Sequence, residues 1–129
     1  MLKQNNKFED EVINTCQQAL NILQVDNKLK FRPMQRRKKV NSRAYVKGRI
    51  NLKTGLITID IFTPKKRDPK KISDILRTLC HEIAHFQKPP FRQLYRWRFI
   101  VRAHYPEFYQ QVKDNIQILK DDLILKKYF

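Results

Sequence analysis

Glycine, cysteine and histidine are all scarce in this sequence. Two glycines in 129 residues leave no glycine-rich loop to cradle a phosphate. The two cysteines, Cys16 and Cys80, form no Cys-x-x-Cys pair. A cysteine-built zinc site is therefore excluded, Cys80 reads as a buried small hydrophobe, and the chain is expected to be cytoplasmic and reduced. No apolar run approaches the roughly 20 residues of a membrane span. The opening residues, Met1 to Lys7, lack the apolar stretch of a secretory signal. What remains is an ordinary globular composition, 41% hydrophobic. Its length suits one domain, residues 1–129, around one core.

Acids are also few: 12 Asp and Glu face 28 Lys and Arg, for a net charge of +16. The excess is concentrated. Between Lys28 and Arg102 stand 22 of the basic residues and four acids, Asp60, Asp68, Asp74 and Glu82. A basic surface of this kind attracts polyanions, nucleic acid first and an anionic membrane surface second. Gln35-Arg36-Arg37-Lys38-Lys39 has no apolar period and reads as a loop able to contact phosphates.

The pattern along the chain is that of an α+β fold. Phe8 to about Val25 repeats apolar residues at helical spacing. Lys28 to Arg32 alternates and suggests a strand that ends at Pro33. Ala44 to Phe62 reads as a hairpin turning at Lys53-Thr54-Gly55, with Ile57, Ile59 and Ile61 on one face. Asp68-Pro69 looks like a helix start and Lys88-Pro89-Pro90 a helix stop. Between them Ile72, Ile75, Leu76, Leu79, Ile83 and Phe86 form an apolar stripe that would meet the isoleucine face. A further helix is expected from Phe91 to about Ala103, with Arg92, Arg96 and Arg102 on one side. A last one should run from Glu107 to about Lys127, burying Phe108, Val112, Ile116, Leu119, Leu123 and Ile124.

The chemistry lies in His81-Glu82-Ile83-Ala84-His85. At 3.6 residues per turn the two histidines stand one above the other, roughly 150° from the apolar stripe. Two imidazoles so placed can share one zinc ion. Glu82, rotated roughly 100° from His81, can reach a water on the metal but is poorly placed to ligate it. That is the position of a general base. A catalytic zinc usually takes three protein ligands. His104 is the only other histidine, and Glu107, in the first turn of the last helix, is its carboxylate competitor. Gln93, or no third protein ligand at all, is a weaker alternative. Tyr105 and Tyr109 flank both positions, where a phenol could donate to an oxyanion, although packing explains each of them better.

Leu79 to His85, set on the stretch from Ile72 to Phe86, resembles the SprT-like zinc metallopeptidases and their small relatives, the WLM and YgjP-like domains. A fainter likeness runs through Trp97 to Tyr109. The resemblance covers about the half from Tyr45 to Tyr109. It implies a minimal zincin domain, a zinc cofactor on His81 and His85, Glu82 as catalytic base, and a hairpin edge beside the substrate. SprT-like proteins cut proteins attached to DNA, which suits a basic chain. Two departures stand out. Gln93 is near the place where these families usually carry a third histidine, and the cysteine zinc ribbon of many SprT-like proteins is missing. The expectation is thus a zinc-dependent peptidase acting on protein or peptide substrates, with nucleic acid as a partner. Its rivals are a basic nucleic-acid-binding module with a structural or vestigial zinc, and a zinc hydrolase of a non-peptide substrate.

Overall fold

The computed structural model describes residues 2–23, 25, 27–34 and 45–129, with side chains from residue 6 onward. The basic run Gln35 to Lys39 lies outside the described residues. The fold is α+β. Helix α1 (Leu2–Leu23) is followed by strands β1 (Lys30–Pro33), β2 (Gly48–Ile50) and β3 (Leu56–Ile59). Helix α2 (Ile72–Gln87) carries the histidine motif. Strands β4 (Phe91–Tyr95) and β5 (Arg98–Arg102) come next, then helix α3 (Pro106–Asp121) and a closing 3₁₀ turn, Leu125–Tyr128.

The first sheet has the order β1-β3-β2. The expected hairpin is present as the antiparallel pair of β2 and β3, in register Gly48↔Ile59 to Ile50↔Ile57. Asn51 shapes its turn, accepting from the Lys53 and Thr54 amides through its side chain. Gly55 completes it at φ 79°, where a Cβ would stand 2.6 Å from the Lys28 carbonyl oxygen. Strand β1 then pairs with β3 in parallel, so β3 is central. Pro33 can belong to β1 because β1 is an edge strand among the described residues.

Ile57, Ile59, Ile61, Ile75, Leu76, Leu79, Cys80 and Ile83 are all at or below 1% exposed and share one core with Val12, Cys16 and Leu119. The isoleucine face and the α2 stripe thus meet as expected. Each such aliphatic side chain contributes about 1.5–3 kcal/mol by leaving water. Both cysteines are buried and free, and burial raises both thiols, Cys80 to about 12. Gly48 matters for position. A Cβ there would lie 3.0 Å from Thr78 Cγ2 and 3.3 Å from Ile59 Cγ1. Its absence lets the edge strand β2 lie against the motif helix.

Several expected boundaries are corrected. Helix α1 starts at Leu2 rather than near Phe8. Asp68-Pro69 does not begin α2. Asp68 exchanges hydrogen bonds with Thr63, Pro69 bridges to Phe62, and the helix starts at Ile72 behind Lys71. The last helix stops at Asp121 instead of near Lys127. Asp122 Oδ2 accepts from the Ile124 and Leu125 amides and starts the 3₁₀ turn. In consequence Leu123 and Ile124, expected in the core, are exposed, and Leu125 is buried in their place.

The largest correction is Phe91 to Ala103. It is no helix but a two-stranded antiparallel hairpin, β4–β5, in register Phe91↔Arg102 to Tyr95↔Arg98. Alternate residues therefore share a face, and the expected single arginine side of a helix does not exist. Arg96 and Trp97 make the turn, at φ 50° and 66°.

Candidate metal centre

Helix α2 places His81 and His85 on the face opposite its buried stripe, half-exposed in a cleft. The third imidazole arrives by a different route from the one expected. The β4–β5 hairpin sends the chain out and returns it beside its point of departure. Tyr105 Oη then donates to the Pro89 carbonyl at 3.0 Å and closes the base of the loop. His104 is thereby brought over α2. One ligand atom from each of His81, His85 and His104 lies within 4.8 Å of the others. Tetrahedral bonds of about 2.0–2.1 Å put ligand atoms about 3.3–3.4 Å apart. Small side-chain rotations would close the set on one ion.

The three rings share a floor. Phe108, fully buried in the first turns of α3, stacks on His85 at 4.4 Å and meets His81 and His104 edge-on at 5.0 and 5.1 Å. Tyr109 stacks on His104 from the outer side at 6.1 Å. The sequence predicts a core position for Phe108 but not this role. Its spacing of four residues from His104, one helical turn, was the available signal. Helix α3 is in turn fixed to α2 by Asn115, which is fully buried. Its Nδ2 donates to Gln87 Oε1 at 2.7 Å and to the Cys80 carbonyl at 3.3 Å. Its Oδ1 accepts from Gln111 at 3.0 Å. This network too was missed, because nothing in the local pattern marks an asparagine as buried.

The electrostatics suit a cation. Burial lowers the His81 pKa first, and the neighbouring His104 adds to it. Burial, then His81 and His104, take His85 down to about 4. Both rings are neutral at ordinary pH, the form that binds a metal. Glu82 is 7% exposed, and burial raises its carboxyl to about 7. A cation on the imidazoles would pull it back down. The donor set therefore fits a metal ion.

The other candidates fall elsewhere. Glu107 is exposed in the first turn of α3 and does not belong to the histidine group. Gln93 stands on β4, where its Oε1 accepts from Arg102 Nε at 2.9 Å. The Tyr105 hydroxyl is engaged by Pro89. A cleft of about 420 Å³ runs over the site, lined by Gly48, Arg49, Ile50 and Leu52 of the β2 side and by His81, Glu82, His85, Pro90 and His104. A second, of about 400 Å³, continues past Glu82 to Lys47 and Arg77.

No protein-family model and no curated protein matches the sequence. Among solved structures the chain is similar to the metallopeptidase zymogen abylysin of Pyrococcus abyssi. The identity is 20% over 91% of this chain and 87% of that one, at a TM-score of 0.46.

Proposed function

We propose that this chain is a zinc-dependent peptidase. The observation that carries the proposal is the convergence of three imidazoles on one point, within 4.8 Å, beside a buried carboxyl in an open cleft. His81, His85 and His104 would hold the metal. Zinc, when bound, supplies a Lewis acid that polarises a carbonyl and acidifies a water.

The chain's own residues do the rest. Glu82 takes a proton from the attacking water at a carboxylate oxygen and returns it to the leaving amine. Its burial raises the carboxyl and a cation on the imidazoles would lower it, so the two opposing effects leave it able to accept a proton and to give it up. Phe108 holds the imidazoles in register from below. Among the described residues strand β2 is paired on one side only, and it lines the cleft through Gly48, Arg49 and Ile50. An extended substrate can add to it as a further strand, so that its backbone is held by main-chain hydrogen bonds. The test is a peptidase assay on casein or a mixed peptide library, run with zinc, with chelator, and with Glu82→Gln. Activity that needs zinc and Glu82 supports the proposal. Activity untouched by both overturns it.

A further inference from the structure

The β4–β5 hairpin has no part in that chemistry, and it is built unlike the rest of the chain. Its strands pack mainly on each other. Register divides it into two faces. On the face toward the body, Phe91 rests on the Tyr105 ring at 5.0 Å and Ile100 is half-buried, while Tyr95, Arg98 and Arg102 of the same face remain exposed. Away from the body, Leu94, Phe99 and Val101 are 56%, 68% and 69% exposed, and Trp97 at the tip is 94% exposed. A contiguous apolar strip this open marks a contact surface.

Charge is interleaved with it. From Lys88 to Tyr105 there is no acid, while Arg92, Arg96, Arg98 and Arg102 alternate with the apolar residues. The Arg92 guanidinium lies over the Phe99 ring at 5.0 Å and that of Arg96 over the Tyr95 ring at 5.3 Å. The turn is a third oddity. Positive φ at both central positions belongs to a type I′ turn, which Asn-Gly makes without strain. Here Arg96 and Trp97 occupy it, and bulky residues adopt that region at a cost. Strain of this kind gathers at working positions. It holds the chain's one tryptophan at the far end of the hairpin.

We infer that the hairpin is a membrane-docking blade, which inserts Trp97, Phe99, Leu94 and Val101 into an anionic lipid bilayer surface while Arg92 beside them and Arg96 at the tip meet the phosphates. The chemistry singles out this partner. An apolar strip needs an apolar medium, and guanidinium groups beside it need anions in the same plane. A bilayer interface offers both within a few ångströms. A single-stranded nucleic acid offers phosphates, and bases for the aromatic rings, but it leaves the aliphatic Leu94 and Val101 without a counterpart. Five-residue strands extend about 17 Å, enough to carry the tip into the headgroup region. Attachment would be peripheral, since no helix among the described residues is long and apolar enough to cross a membrane. The hairpin's two ends run into Pro90 and His104, which line the cleft, so docking would hold the cleft near the lipid surface.

Trp97 makes the test direct, because all tryptophan fluorescence comes from the tip. The zinc-loaded protein is titrated with phosphatidylcholine vesicles, with and without phosphatidylglycerol, and with an oligothymidylate. The expected result is a blue shift and protection from iodide quenching with anionic vesicles alone, reversed by salt. Changing Arg92 and Arg96 to Gln should weaken binding about fivefold per residue. Phe99→Ser with Val101→Ser should abolish it in sedimentation, with metal content and circular dichroism showing that the fold persists. Should that variant unfold, the wild-type shift still decides. A Trp97 that stays in water with every vesicle, or one quenched by the oligonucleotide at lower concentration than by vesicles, overturns the inference.

Discussion

Helix α2 and the β4–β5 hairpin are neighbours in sequence and opposites in use. Both interleave apolar and polar residues over a short span. In α2 the apolar residues vanish into a core, and the polar ones are left half-covered in a cleft under His104 and over Phe108. In the hairpin none of the described residues packs on the outer face, so its apolar residues remain in water beside Arg92. The composition of a segment does not decide which outcome follows. The number of elements that close over it does. The proposed chemistry needs the precision with which α3 and the hairpin base set the rings, whereas the proposed docking needs none and falls on the least supported segment.

Variants should therefore separate sharply between the two regions. The largest effect is expected at Glu82. Glu82→Gln should lower peptidase activity by about 10²–10⁴-fold and leave bound metal unchanged. Equal rates for the variant and the wild type would remove Glu82 from the chemistry. Next comes the floor of the site. Phe108→Ala should cost about 3–5 kcal/mol in denaturant unfolding and weaken metal binding, since three rings lose one support. Smaller again is Asn115→Ala, at about 1–3 kcal/mol, because it strands the Gln87 and Cys80 acceptors between two helices.

The hairpin should answer with the opposite sign. Trp97→Gly relieves a strained turn and should stabilise the fold by about 1 kcal/mol, raising the thermal midpoint by about 3–5 °C. If it destabilises the protein by as much as Asn115→Ala, the hairpin is an integral part of the core and the contrast drawn here is wrong.

Much of the site was legible before the structure. A helical period with His81 and His85 opposite the stripe is a strong local signal, and only three histidines were available. The means of delivering His104 were not legible. Leu94, Tyr95, Trp97, Phe99, Ile100 and Val101 satisfy a helical stripe as readily as two short strands. The turn between the strands is made by Arg96 and Trp97, which carry no turn signature. The parallel pairing of β1 with β3 is likewise silent in the sequence, since it joins segments far apart in the chain. At the other end of the molecule, Asp121-Asp122 did offer a signal. An aspartate that caps a turn through its own side chain breaks a helix, and the apolar period running to Ile124 masked it.

The measurement that bears most directly on the metal centre is the zinc content and affinity of the wild type beside His104→Ala and Glu107→Ala, with His81 and His85 intact. The account predicts about one zinc per chain in the wild type and in Glu107→Ala, and an affinity lower by orders of magnitude in His104→Ala. Wild-type protein that takes up no zinc, or a His104→Ala variant that binds it as tightly as the wild type, would contradict it.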